Sequence, residues 1–276
     1  MPNKPVFCAE PDLCIACGKC VDDCPAHVLE VREKIARPTE DFAEECLDCQ
    51  HCMAICPTGA ASVGGRESKN ARPAPGLDPL QLDGLIRSRR SFRHFVQEPL
   101  DEAILEKIVE TAAYAPTGVN ARQRRFTIIN NPAVLADFRD RSCRALIEKA
   151  NLLPEHIAWL ADAANAWLEK GRDVIFRGAP CLVAVTTGPN AATGQADAFI
   201  ALSYLELAAQ SHGLGTVWVG MVQYILECVP EARRWLNIPE NHSLGYCMLL
   251  GKPAIHYARA AQWQPEQVMV VEKLQP

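Results

Sequence analysis

The chain has 276 residues, 49% of them hydrophobic and 22% charged, with a formal net charge of −5. That length and apolar content allow two domains with a sizeable core and exclude a disordered chain. No unbroken apolar run is long enough to span a bilayer, and the opening Met1-Pro2-Asn3-Lys4-Pro5-Val6-Phe7-Cys8 lacks the apolar segment of an export signal, so a cytoplasmic protein with no membrane partner is expected. The charge is uneven. Residues 1–61 carry five Lys/Arg and eleven Asp/Glu, a balance of −6, and the remainder carries 23 against 22, a balance of +1. A nearly neutral body speaks against nucleic acid as a partner. The acidic start suits docking to a basic redox partner, or solubility alone.

Eight of the thirteen cysteines fall in two runs of one form. The first is Cys14-Ile15-Ala16-Cys17-Gly18-Lys19-Cys20-Val21-Asp22-Asp23-Cys24-Pro25, and the second is Cys46-Leu47-Asp48-Cys49-Gln50-His51-Cys52-Met53-Ala54-Ile55-Cys56-Pro57. Three thiolates at this spacing wrap one corner of a cubic iron–sulfur cluster. The fourth lies too far along the chain to close the same cluster, so it reaches to the other. The spacing therefore predicts one [4Fe–4S] cluster on Cys14, Cys17, Cys20 and Cys56, and a second on Cys46, Cys49, Cys52 and Cys24. Zinc takes four ligands in two pairs, which this set overshoots, and disulfides need an oxidising compartment. This half resembles the bacterial two-cluster ferredoxins over about residues 5–62. With four thiolates serving each cluster, His51 is expected as a solvent-facing loop residue. Asp22, Asp23, Glu44, Glu45 and Asp48 are expected as solvated surface. Cys8, Cys143, Cys181, Cys228 and Cys247 lack ligand spacing and are expected as buried small hydrophobes.

His27-Val28-Leu29-Glu30-Val31 alternates as a short strand, and a symmetric strand is expected near Ala60-Ala61-Ser62-Val63. Neither half of this repeat has a core of its own, so cluster binding is expected to be coupled to folding. Residues 64–78, rich in Gly, Pro and charge, read as a linker between a domain at 1–63 and a second at 79–276. Fully extended, it reaches roughly 50 Å, enough to serve a site in the same subunit or in a partner.

The second domain opens on an amphipathic helix at Leu80-Ile86 and runs into Arg87-Ser88-Arg89-Arg90-Ser91-Phe92-Arg93-His94-Phe95. Arginine forks and serine hydroxyls in this density suit a phosphate, or form a solvated basic face. A helix over Asp101–Ala113 follows, with acidic residues at its start. It leads to Tyr114-Ala115-Pro116-Thr117-Gly118-Val119-Asn120, a loop with little side-chain bulk that suits a flat ligand or is an ordinary turn. A strand at Phe126–Ile129, two helices over 132–171 with a break near Pro154, and a buried strand at Ala179–Thr186 come next. The helix Asp197–Ser211 is apolar on most of its surface and needs cover on all sides, which a dimer provides. His212-Gly213-Leu214-Gly215-Thr216-Val217-Trp218-Val219-Gly220 reads as a small-residue turn into a strand. Tyr246-Cys247-Met248-Leu249-Leu250-Gly251-Lys252-Pro253 reads as a last core strand.

The order and spacing of Ser88–Arg93, Ala115–Asn120, Gly213–Trp218 and Leu250–Pro253, with Arg259 after them, resemble the FMN-dependent nitroreductase superfamily over about residues 79–273. The resemblance implies an α+β fold with a mostly antiparallel sheet flanked by helices, and a homodimer with FMN at its interface. It implies that Arg89, Arg90, Ser91, Arg93 and Arg259, with Lys252, hold the flavin's phosphate and ribityl chain. It further implies that Pro116, Thr117, Gly118 and Asn120 reach the flavin from the other subunit, and that Trp218, Val219 and Gly220 pass its reactive edge through backbone N–H groups. The family loop often continues Gln-Pro-Trp. Here Arg122-Gln123-Arg124 stands instead, either for an anionic substrate or to receive the acidic module.

The expected activity is that of an FMN-dependent oxidoreductase: electrons enter at the clusters singly and leave the flavin toward a nitro compound, quinone or activated alkene. The donor is an external ferredoxin or NAD(P)H, with no separate dinucleotide fingerprint in the chain. No catalytic acid or nucleophile is expected. The alternatives are a dehydrogenase that exports electrons through the clusters, and a non-catalytic redox carrier or sensor.

Overall fold

The computed structural model describes residues 5–72, 76, 78–264 and 266–273. The chain divides into two compact units. The first comprises Met1–Gly76, Pro116–Gln123 and Asn190–Thr193, and the second comprises Leu77–Ala115, Arg124–Pro189 and Gly194–Pro276.

The first unit runs β1 (Phe7–Ala9), α1 (Lys19–Asp22), β2 (Leu29–Arg32), β3 (Ile35–Pro38), α2 (Phe42–Glu45), α3 (His51–Ala54), β4 (Ala61–Val63) and β5 (Arg66–Glu67). β1, β4 and β5 form one antiparallel sheet and β2–β3 a hairpin. β2 begins two residues later than the alternation suggests, because His27 takes a left-handed backbone (φ 55°). β3 was not anticipated. Its hairpin turns on Glu33 and Lys34, both left-handed (φ 54° and 62°), in a two-residue turn that normally advertises itself with Asn or Gly. Residues 66–70, expected as linker, form β5 and a 3-10 turn over Ser68–Asn70. The Ser68 hydroxyl donates to Ala61 O (2.6 Å) and Met53 O (3.1 Å). Pro73, Ala74, Pro75 and Leu77 of the expected linker lie outside the described residues. The core gathers Phe7, Val28, Leu29, Phe42, Met53 and Val63 around the buried Cys20 and Cys52.

The second unit runs α4 (Pro79–Ser88), α5 (Glu102–Ala113), β6 (Arg124–Ile129), α6 (Pro132–Glu148), α7 (Trp159–Lys170), β7 (Cys181–Thr187), α8 (Gly194–Ser211), β8 (Gly215–Trp218), α9 (Gly220–Cys228), α10 (Pro230–Trp235) and β9 (Ser243–Gly251). Local chemistry sets the helix starts. The side chains of Asp78, Asp101 and Asn131 accept from Leu80 N, Ile104 N, and both Ala133 N and Val134 N, and proline follows Asp78 and Asn131 at the first helical position. The four strands form one antiparallel sheet in the order β6-β7-β9-β8.

β7 is buried along its whole length and divides its side chains by alternation. Leu182 and Ala184 face a core built with α6, α7 and α9 through Phe138, Leu146, Leu160 and Ile225. Cys181, Val183 and Val185 face the other core, with Ile108 of α5 and Leu202 and Leu205 of α8. Helices thus cover both faces of the sheet, the expected α+β class with a mostly antiparallel sheet. α8 buries one face, and Ile200 and Tyr204 stay exposed (36% and 41%). Among the described residues, no helix is long and apolar enough to cross a membrane.

Candidate cofactor sites

Each cysteine run bends its backbone the same way. The residue before the second cysteine is left-handed in both runs (Ala16 φ 54°, Asp48 φ 49°), and so is the residue after it (Gly18 φ 76°, Gln50 φ 64°). The two reversals bring three thiols to the wall of one cavity, and α1 and α3 carry the third cysteine of each run inward. Cys14, Cys17, Cys20 and Cys56 line one cavity together with Ala9, Ala60 and Ala61. Cys24, Cys46, Cys49 and Cys52 line another together with Val28, Leu29, Phe42 and Val63. The last cysteine of each run thus lines the cavity of the first three of the other. Among the described residues, no three His, Cys, Asp or Glu side chains are grouped to hold a single ion. The donors ring a space instead, which suits a polynuclear cluster.

Burial pushes the Cys52 thiol up to about 12 and raises Cys20 and Cys46 as well. Thiols in such surroundings ionise readily only beside positive charge, which iron supplies. Burial acts in the same sense on Cys56, but hydrogen bonds from the Ala61 backbone and from Thr58 outweigh it and hold Cys56 below the ordinary thiol range. His51 is exposed, as expected, but it opens α3 instead of lying in a loop and lines the second cavity. Asp48 is not free surface: the Arg66 guanidinium donates to both its carboxylate oxygens. Burial also pushes Cys143, Cys181 and Cys247 up to about 12, as befits inert core residues. Cys8 is exposed and Cys228 partly so, which corrects the expectation of burial for those two.

In the second unit the Arg/Ser motif is laced to the sheet. Ser91 bridges Thr216, and Phe92 N donates to Thr216 O (2.8 Å). Gly215 lets Phe92 lie directly on β8, since a Cβ there would stand 2.5 Å from the ring. Farther on, Val96 N donates to Lys252 O (2.9 Å), Ala254 N donates to His94 O (3.0 Å), and Phe95 bridges Pro253. Arg90 sits over the Tyr257 ring at 5.8 Å, and Phe92 meets the same ring edge-on. A cavity of about 640 Å³ is lined by Ser88, Phe92, Gly213, Leu214, Lys252 and Pro253, with Tyr257 among its other walls. Three separate sequence motifs therefore line one cavity, whose volume is that of a small-molecule site. Of the expected phosphate-binding cations only Lys252 lines this cavity; Arg90, Arg93 and Arg259 do not, and Arg93 donates to Ser91 O (3.4 Å).

Residues 86–252 match the model of the nitroreductase family. The chain belongs to the nitroreductase family. At the other end, residues 13–60 match a 4Fe-4S dicluster domain. The nitroreductase part is 27% identical to an iodotyrosine deiodinase of Thermotoga neapolitana, over 62% of this chain and 88% of that protein. It is 27% identical to an NADH dehydrogenase of Thermus thermophilus, over 60% and 83%. A Bacteroides fragilis nitroreductase solved with bound FMN superposes with a TM-score of 0.59 at 25% identity, covering 71% of this chain and all of that one.

The nitroreductase unit departs from the sequence-based expectations at Val219, Gly220 and Arg124. The Val219 N–H donates to Cys247 O (3.0 Å) and is committed to the sheet, so it does not offer itself to a ligand. Gly220 does not continue the strand but opens α9, whose first N–H groups have no acceptor within the helix. Trp218 ends β8, stacked on Phe199 at 5.9 Å. Arg124, considered for an anionic substrate or for receiving the acidic module, donates to Ala113 O (3.3 Å) and Ala115 O (2.8 Å) and closes the end of α5.

The loop Pro116–Gln123 groups with the first unit. There the Asn120 amide donates to Leu47 O (2.9 Å) and Asp48 O (3.1 Å), and Gly118 N donates to Thr193 Oγ1 (3.1 Å). Sequence reasoning passed over Glu206. It lies buried in α8 (6% exposed) and accepts from Arg89 Nη1 at 3.1 Å. The hint in the sequence is an acid well inside a mostly apolar helix, whose other acid, Asp197, stands in its first turn.

Proposed function

We propose that this chain is an FMN-dependent oxidoreductase with two [4Fe–4S] clusters, in which electrons entering at the clusters reduce a small organic acceptor at the flavin. The carrying observation is the division of eight cysteines into two crossed sets of four, each around its own cavity, in a chain whose other part is a nitroreductase. FMN, when bound, accepts single electrons and releases them in pairs, which is the conversion between cluster and organic chemistry. The FMN of the Bacteroides fragilis nitroreductase supports the choice of flavin.

Arg89, Arg90, Ser91, Arg93, Lys252 and Arg259 are the residues we assign to the phosphate and ribityl chain. The pairing of segment 91–96 with Thr216 and Lys252 supports the grouping. Trp218 and Gly220 are assigned to the ring edge, and Pro116, Thr117, Gly118 and Asn120 to a loop that approaches the flavin of a partner subunit. The exposed Ile200 and Tyr204 on α8 support a homodimer. A nitro compound, quinone or activated alkene fits as acceptor, and the setting is cytoplasmic.

Anaerobic titration tests the direction of flow. Reduced ferredoxin is expected to bleach the oxidised-flavin absorption, and NADH alone to leave it. Prompt bleaching by NADH makes the clusters an exit and overturns the proposed direction. Absence of any flavin absorption in the purified protein overturns the reading itself.

A further inference from the structure

Arg89 is the first arginine of the motif assigned to the flavin phosphate, and its side chain is 36% exposed. Its Nη1 donates to Oε1 of Glu206 at 3.1 Å. The Glu206 carboxylate is almost wholly buried, and the same Oε1 accepts from Thr216 Oγ1 at 3.1 Å. Thr216, itself 2% exposed, also takes the Phe92 N–H on its carbonyl, so one residue of β8 fixes both the carboxylate and the motif. One turn along α8, Gln210 donates to Leu85 O (3.1 Å) and to Ser88 Oγ (2.9 Å). Positions four apart on one helix face thus hold Arg89 and the residues just before it.

A buried carboxylate is costly unless it is paired. An apolar residue at 206 would satisfy the packing of α8 without that cost. The acid does something packing does not: it takes one end of a five-donor guanidinium and leaves the remaining donors toward the partly open side. We infer that Glu206 is a positioning residue for the flavin phosphate, holding Arg89 in the orientation that receives it, with Thr216 fixing the carboxylate. This rests on the assignment of Arg89 to the phosphate.

FMN and riboflavin separate this role from a structural one, because they differ only by the phosphate. The full-length protein is freed of flavin and titrated with each by flavin fluorescence. Glu206→Leu is expected to weaken FMN by about 10- to 100-fold, the effect of losing a hydrogen bond to a charged group, and to change riboflavin by less than about 3-fold. Glu206→Gln, which still presents an oxygen to Arg89 and Thr216, is expected to restore most of the FMN preference. Equal weakening of both flavins by Glu206→Leu contradicts the inference and leaves a purely structural ion pair.

Arg89→Ala serves as the reference. If it abolishes the preference for FMN while Glu206→Leu keeps it, the inference fails and the phosphate assignment stands. If Arg89→Ala leaves the preference intact, the phosphate assignment fails and the inference falls with it. Should Glu206→Leu not fold, Thr216→Val removes one donor from the carboxylate at nearly constant shape. It is expected to lower the preference by about 3-fold or more, and an unchanged preference contradicts the inference.

Discussion

Cys24→Ala is expected to remove the cluster of the second cysteine run, although Cys24 belongs to the first run in sequence. Cys24 lines the cavity of Cys46, Cys49 and Cys52, and Cys56 lines that of Cys14, Cys17 and Cys20. Iron should fall from about eight to about four atoms per chain, since each cubic cluster carries four. The double variant Cys24→Ala/Cys46→Ala should then lose no more iron than Cys24→Ala alone. Cys24→Ala/Cys14→Ala should lose the remainder. An uncrossed arrangement predicts the reverse pattern, so iron analysis of the two double variants decides between them.

Stripping the iron anaerobically with a chelator is expected to unfold the first unit and to spare the sheet of the second. The first unit has strands of two to four residues and a small apolar core, and two of its buried positions are the proposed ligands Cys20 and Cys52. Without metal, that core holds buried thiols around vacated space and too little apolar area to offset chain entropy. The second unit keeps two full cores on either side of β7. Amide exchange measures both at once. Amides of β1, β4 and the β2–β3 hairpin should lose protection by at least about 100-fold, while those of β7 and β9 change by less than about 3-fold. Retained protection in the first unit would show that its fold does not depend on iron.

The parts legible in the sequence were those in which covalent spacing itself decides geometry. Cys-x-x-Cys-x-x-Cys leaves thiols few places to go, and the eight cysteines line two cavities, four to each. Helices with an Asp or Asn before proline, and the strand at β7, were equally plain. What stayed hidden depends on backbone conformation or on partners distant in sequence. The Glu33–Lys34 turn adopts left-handed angles without the residues that announce them, so β3 went unseen. Gly220 looks like the tail of a strand but begins a helix. Arg124 looks available for an anion, yet carbonyls at the end of α5 take it. Glu206 lies 117 residues from Arg89, and spacing alone does not connect them.

In the proposed function, electrons reach the flavin through the clusters. The most direct measurement is the anaerobic stopped-flow rate at which reduced ferredoxin bleaches the flavin of the intact protein and of Cys24→Ala, with both proteins shown to hold flavin. A loss of at least about 10-fold is expected in the variant, because a relay loses rate when a step is removed and a tenfold loss needs only about 1.4 kcal/mol of added barrier. Equal rates in the two proteins would contradict it.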